Sequence, residues 1–389
     1  MRRTLQGLTL CLALALAAAA GADTFRCDDH SIVTLAGADT QEGRLLLRSA
    51  DGWWIETRPD AVDPGGGDWN ESATYHAESA DRPYGLSVGP GPIFGVTGCG
   101  DGCLQAQRWA ASTAADGGEA GSWAPLGEPI TGVPAGAAHA TYDLSGAPWV
   151  IVQTPPEPGE GSRDSVRAHA WRFADDAWAS AGSALVRSAG AAAAVPDPRR
   201  GDAILSGSVR FAVGERPASW VATLPSLSAE EVGVLVPVGD GAAYLTAEGR
   251  LLLSRDGERW VRSRWSPWGK NAERLWHPGR DYTVDLPTAD RRGELNALWI
   301  DRREGSAGRM TLITWDPTTD WQALAEADAE IKTLDGTRLP YAELVVARPG
   351  VWVLIAGCVN TANGPGLVLR TYGGEGLTRP RFLPLRPGG

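Results

Sequence analysis

A chain of 389 residues with 47 carboxylates against 36 basic side chains has a formal net charge of −11, which opposes binding to nucleic acid or anionic lipid through bulk charge. Its 49 glycines, 27 prolines and 17 tryptophans against 2 methionines describe many short strands joined by tight turns. Beyond the N-terminus no 3.6-residue periodicity persists and no apolar run is long enough to cross a bilayer. The chain is therefore expected to be all-β, without membrane insertion.

The first element in chain order is Arg2-Arg3, an apolar run from Leu8 to Ala20, and Ala20-Gly21-Ala22. That is a charged start, a short apolar stretch and a small-residue cleavage site, the pattern of a secretory signal peptide. Residues 1–22 are expected to be removed, leaving one domain over 23–389 in a secreted or periplasmic setting. Cys11 follows Leu10, where a lipid-attachment signal requires a small residue.

The mature chain then repeats itself. Gly43-Arg44-Leu45-Leu46-Leu47 with Asp51-Gly52 and Trp54 returns, about two hundred residues on, as Gly249-Arg250-Leu251-Leu252-Leu253 with Asp256-Gly257 and Trp260. Each copy predicts an apolar strand, a tight turn and a strand opening on tryptophan. Degenerate copies extend along the chain, with the earlier strand ending at Ser49, Trp109, Trp171, Gly214, Ser254, Trp315 and Tyr372. The later strand opens at Trp54, Trp123, Trp178, Trp220, Trp260, Trp321 and Phe382. Upstream of these hairpins lie two further strands per unit: Tyr84–Val88 with Ile93–Thr97, Tyr142–Leu144 with Trp149–Gln153, and Ala191–Val195 with Ala203–Ser206. The pattern continues with Val234–Val238 and Ala243–Thr246, Tyr282–Asp285 and Leu295–Ile300, and Ala342–Ala347 and Val351–Ala356. For the first unit the candidates are Thr24–Cys27 and Ser31–Leu35.

Four strands in roughly 50 residues match the blade of a β-propeller. The expectation is a single propeller of four-stranded blades, seven in number, or six if a weak unit belongs elsewhere. Tryptophans opening the outer strands are assigned to packing between blades. Asp51, Asp176 and Asp256 are assigned to turn formation. The segments Ser254-x-Asp256-Gly257-x-x-Trp260 and Ser49-x-Asp51-Gly52-x-Trp54 resemble the Asp-box, or BNR, repeats of sialidase-like propellers, in a shortened form. The resemblance implies blade construction. It would also imply a site with three arginines, an aspartic acid and a Tyr–Glu pair. Of these only Phe25-Arg26 matches, because Asp51 belongs to a turn and Tyr372 occupies a position held by tryptophan in other units.

Four cysteines remain after the signal, which in an exported chain predicts two disulfides. Cys99 and Cys103 bracket a Gly-Asp-Gly turn and are expected to be bonded. Cys27 and Cys358 would join the first and last blades, although the strand map sets them at different heights. Either the first strand pairs differently from that map and the bridge forms, which is favoured, or both thiols are buried and unbonded.

Sorting the connections by end of the ring places Arg58–Arg82, Gln153–Val166, Pro267–Arg280, Asp301–Gly308 and Gly357–Gly366 together on one face, with mostly tight turns opposite, Ser112–Gly121 being the main exception. Two of these loops combine aromatic rings with amide and cationic donors, a composition suited to a peptide or a sugar. The candidate binding residues are Trp69, Asn70, Tyr75 and His76 in one loop. In the other they are Trp268, Lys270, Asn271, Arg274, Trp276 and His277. No catalytic residue, metal site or cofactor is expected: the 5 histidines are dispersed, no G-x-S-x-G occurs, and Gly65-Gly66-Gly67 lacks the Lys-Ser/Thr of a phosphate loop. The expectation is an exported, monomeric, non-catalytic propeller binding a protein or carbohydrate ligand through its long-loop face. The alternatives are a sialidase-like glycoside hydrolase or lyase with a diverged axial site and, by fold analogy, an envelope assembly factor.

Overall fold

Short apolar runs bounded by Gly and Asp turns can satisfy their backbone only by pairing with neighbouring runs, and here each strand finds its partner in the next. A computed structural model describes residues 27, 33–39, 41, 43–49, 54–57, 73–76, 83–89, 91–110, 122–160, 165–187, 194–197, 200–207, 209–219, 233–238, 241–246, 251–254, 261–262, 282–289, 295–301, 309–316, 320–328, 330–332, 338–340, 343–348, 351–362, 364–373 and 376–387. The signal segment, Arg26 and the second copy's Asp256 and Trp260 lie outside them.

The third unit is the most regular. Ala137–Tyr142, Pro148–Thr154, Ser165–Ala174 and Ala177–Arg187 pair in that order as an antiparallel meander. Its last hairpin turns at Asp175 and Asp176, with φ of 51° and 59°, the two-residue geometry that follows strand twist. The next three units repeat the order from Ala194–Pro196 to Ala218–Ser219, from Gly233–Val238 to Val261–Arg262, and from Tyr282–Ala289 to Asp320–Asp328.

The first strand of each unit lies beside that of the next. Val33–Asp39 pairs in parallel with Val88–Gly89. Ala137–Tyr142 lies between Val88–Gly89 and Ala194–Pro196, and Gly233–Val238 between Ala194–Pro196 and Tyr282–Ala289. Glu343–Arg348 closes the circuit between Tyr282–Ala289 and Val33–Asp39. A ring of inner strands from which meander sheets radiate is a β-propeller.

Strand alternation explains why the sheets stack around the ring. Trp149 and Ile151 pack on Ile204 and Phe211 of the following unit, while Val150 and Val152 pack on Phe94 and Val96 of the preceding one. Likewise Leu45 and Leu47 face Val353 and Ile355 of the last unit, whereas Leu46 faces Ile93 and Trp109 of the second. A sheet buried on both faces needs apolar residues at odd and even positions alike, hence the Leu-Leu-Leu run. Among the described residues, Trp54, Trp109, Trp123 and Trp178 pack in the wedges between units, while Trp220 and Trp260 lie outside them. The Trp109 indole donates to Glu56 at 3.2 Å and that of Trp178 to the Leu126 carbonyl at 3.0 Å, each reaching into the preceding unit.

The first unit departs from its expected plan. Val33–Asp39, not Thr24–Cys27, is innermost, followed by Arg44–Ser49, Trp54–Thr57 and Ala73–His76. Arg44–Ser49 and Trp54–Thr57 are therefore second and third strands, whereas Leu251–Ser254 and Val261–Arg262 are third and fourth in theirs. Two near-identical hairpins thus occupy different places and turn at opposite ends of the ring. The buried Asp39 marks the true position. It closes the inner strand and accepts the Gln41 N–H at 2.9 Å, as Asp143 and Asp197 end the inner strands of their own units. Asp143 accepts from Trp149 Nε1 at 2.9 Å, Arg172 Nε at 2.8 Å and Ser145 Oγ at 2.5 Å. Burial alone would raise its carboxyl, but these donors and the Ala147 N–H together hold it below the usual value.

Smaller differences follow from the same registers. The inner strand of the third unit runs Ala137–Tyr142, earlier than Tyr142–Leu144, because Asp143 and Gly146 form the turn. Gly357–Gly366 is not a loop: Val351–Thr361 and Gly364–Gly373 extend through it as a hairpin. An unexpected hairpin, Glu330–Lys332 with Arg338–Pro340, sits between the last two units.

The ring is closed twice. Arg381–Pro387 pairs in parallel with Ala73–His76, fusing the outer edges of the first and last units into one sheet. Cys27 is bonded to Cys358 across 331 residues with Cα atoms 5.6 Å apart. The height difficulty disappears because Cys27 is not part of the first unit's inner strand. Its N–H donates to Asn360 Oδ1 at 3.0 Å, and the Asn360 amide donates back to the Cys27 carbonyl, beside the far end of the long strand carrying Cys358. Cys99 and Cys103 are bonded across their turn.

Replacing Cys27 and Cys358 together by Ala is expected to lower the unfolding free energy by about 2–5 kcal/mol, because the bridge constrains most of the chain. The Cys99→Ala, Cys103→Ala pair, which frees a span of only 4 residues, is expected to cost less. Denaturant unfolding followed by tryptophan fluorescence compares them, and equal losses would contradict the closure role.

Candidate functional site

One cleft is built where the inner strands of three consecutive units meet. It begins with the second unit, where Tyr84 is bridged to Val96 by backbone hydrogen bonds of 2.8 and 3.1 Å. The next residue, Gly85, has φ of +61°, and a Cβ there would lie 2.1 Å from the Ala138 carbonyl oxygen. Glycine is the residue that permits this approach. The Ala140 N–H then donates to the Gly85 carbonyl at 2.7 Å. Further along, the Tyr142 ring lies against Gly89 and Gly91, and its hydroxyl donates to the Pro92 carbonyl.

These contacts set Tyr84, Leu86 and Val88 beside His139 and Thr141. On the other side the Ala38 N–H donates to the Ser87 carbonyl at 3.0 Å, bringing in Leu35 and Ala36 of the first unit. Arg48 and Trp54, register partners on adjacent strands, complete the wall, with the Arg48 guanidinium carbon 5.9 Å from the Trp54 ring centroid. That distance is within the range of a cation–π contact. The enclosed volume is about 460 Å³, in the range of ligand-binding clefts. Tyr84 is 43% exposed and Val88 48%, so both present side-chain surface to an incoming group.

The electrostatics are simple. Among the described lining residues Arg48 is the one permanently charged side chain, and there is no Asp, Glu, Asn or Gln. Burial holds the His139 imidazole below its ordinary value of 6.5, which keeps it neutral near pH 7. Among the described residues, no cluster of His, Cys, Asp and Glu is arranged to hold a metal ion.

Of the loop residues expected to bind, Tyr75 and His76 lie in the outer strand Ala73–His76, opposite Ile55 and Trp54 in register. The structure thus brings His76 to the strand neighbouring Trp54. Trp69, Asn70, Trp268, Lys270, Asn271, Arg274, Trp276 and His277 lie outside the described residues. Thr57 and Ala73, the described residues on either side of the Trp69 segment, end a third strand and begin a fourth, where the expected plan had a fourth strand and the next first one. Tyr372, considered as a nucleophile through the family resemblance, packs on Trp352 with ring centroids 5.2 Å apart.

Sequence reasoning missed Arg48, Tyr84 and His139 as parts of one site. Two signals were present. Arg48 is where the duplicated hairpin departs from its copy, which has Ser254. Tyr84-Gly85 puts an aromatic beside a glycine within a strand, a sign of close backbone approach.

No family model matches the chain, and no curated protein matches it significantly. Among solved structures it is similar to YCF48 bound to D1 peptide, at 12% identity over 85% of this chain and 90% of that one, with a TM-score of 0.44. It is similar to a luciferin-regenerating enzyme at 11% identity over 92% and 99% of the two chains, with a TM-score of 0.40. The Aleuria aurantia lectin in complex with a fucosylated sugar matches at 12% identity over 79% and 97%, with a TM-score of 0.34. Scores of this size carry nothing about function, and the architecture rests on the strand order itself.

Two outcomes are expected from this geometry. Gly85→Ala should be strongly destabilising in thermal unfolding, because the added carbon meets backbone, whereas Tyr84→Ala should stay within about 0.5–1 kcal/mol of wild type. The His139 contribution to stability is complete above pH 6.5, falls as the pH drops below that value and levels off once the folded-state imidazole is protonated. His139→Gln should therefore lose less stability between pH 7 and pH 5 than wild type. An unchanged acid limb would contradict the burial of this side chain.

Proposed function

We propose that the protein is an exported, monomeric, seven-bladed propeller that binds a protein or glycan partner. The cleft among the first three units receives part of that partner. The observation that carries this reading is the convergence of Tyr84, Trp54, Arg48 and His139 from three sheets onto one open space. Exposed aromatic and aliphatic surface beside the Arg48 cation suits recognition. Among the described lining residues there is no carboxylate pair of the kind glycoside hydrolysis requires, so binding is proposed in preference to that chemistry.

The cyclic order of inner strands supports seven blades. Two disulfides and the cleavable N-terminal pattern support export to an oxidising compartment. No helix among the described residues is long and apolar enough to cross a membrane. The Asp-box resemblance is retained as a hairpin-building motif, and the loop carrying Trp268 and Trp276 is retained as a second contact surface at the end of the ring where inner strands begin.

Site-specific photo-crosslinking in the native host tests the proposal. A benzoylphenylalanine in place of Tyr84 is expected to yield discrete adducts. The same probe in place of Leu144, 53% exposed at the opposite end of an inner strand, is expected to yield none. Adducts from position 144 alone would overturn it.

A further inference from the structure

Resting on that reading, we propose that the cleft selects a peptide carboxylate flanked by an apolar side chain. Charge fixes the first half of the specificity. Arg48 is the only ionised side chain among the described lining residues. A guanidinium has five donors in a planar fork, so a carboxylate can be added to the contacts Arg48 already makes. Its position over Trp54 restrains the side chain and reduces the rotamer freedom lost on binding.

The rest of the wall fixes the second half. Leu35, Leu86 and Val88 are apolar, Trp54 and Tyr84 are aromatic, and the remaining polar side chains are the Thr141 hydroxyl and the His139 imidazole. A sugar ring carries a hydroxyl on most carbons and loses affinity wherever one is desolvated without a partner. Among the described lining residues there is no Asp, Asn, Glu or Gln side chain to supply those partners. An apolar side chain next to a carboxylate leaves few such groups unmatched, so a peptide is favoured over a glycan. The carboxylate can come from a chain terminus or from an Asp or Glu side chain.

Calorimetric titration of the full mature protein separates these sources. The probes are N-acetyl-Leu-Phe as the free acid, the same dipeptide as its amide, N-acetyl-Asp-Phe-amide, and N-acetylneuraminic acid as an acidic sugar. At least one peptide acid is expected to bind about tenfold or more tightly than the amide, the effect of one charge-assisted hydrogen bond. The acid that binds identifies the source. Arg48→Met is expected to abolish the preference for acid over amide, and Arg48→Lys to keep part of it, with thermal midpoints confirming that both variants fold. Equal binding of acid and amide, no binding of either, tighter binding of the acidic sugar, or a preference that survives in Arg48→Met would each overturn the inference. Adducts at position 84 together with failure of the peptide acids would remove this specificity and leave the partner-binding reading standing.

Discussion

The sheets of the first and third units are held by burial on both of their faces, and the rest of the described structure depends on that. Leu45 and Leu47 point to the last unit while Leu46 points to the second, and Trp149 and Val150 divide their neighbours in the same way. A single sheet of four short strands has too little apolar contact to stand alone. Stacked between two others it buries both faces, and its stability becomes a property of the circuit.

A circuit of sheets has one weak place, where its two ends must meet without a covalent chain between them. Here the seam carries three reinforcements. Arg381–Pro387 pairs with Ala73–His76 at the outer edge. The apolar cluster around Leu45, Ile55, Ile355 and Leu369 fills the space between the sheets. Cys27 is bonded to Cys358 within the same cluster. Because the first unit presents its other face to the cleft through Ala36, Arg48 and Trp54, closing the ring also places one wall of the candidate site. Seam and site are opposite faces of one sheet.

The site itself depends on a backbone approach rather than on a long loop. At Gly85 two inner strands come close enough for a direct hydrogen bond, and Tyr84 and His139 are thereby set on one wall. A side chain at that position would hold the strands apart and widen the cleft. The buried aspartates at the ends of inner strands serve a related purpose. Asp143 and Asp197 each hold an arginine from the third strand of their own sheet, fixing where the inner strand ends and hence the level at which neighbouring inner strands meet.

Several features were determined by the sequence alone, because they depend on contacts close along the chain. The all-β class, the hairpin period, the Asp176 turn, the tryptophan wedges and the Cys99–Cys103 bridge all arise from residues within one unit or its neighbour. The tertiary structure decided whatever depends on residues far apart. The Leu45–Leu47 run and the Leu251–Leu253 run are nearly the same peptide, yet one is a second strand and the other a third. An apolar strand buried on both faces fits any interior position of a sheet, so its place is chosen by its partners, Val33–Asp39 in one case and Gly241–Thr246 in the other. For the same reason the cleft was hidden: Arg48, Tyr84 and His139 are far apart in sequence and converge only when three sheets are stacked around a closed ring.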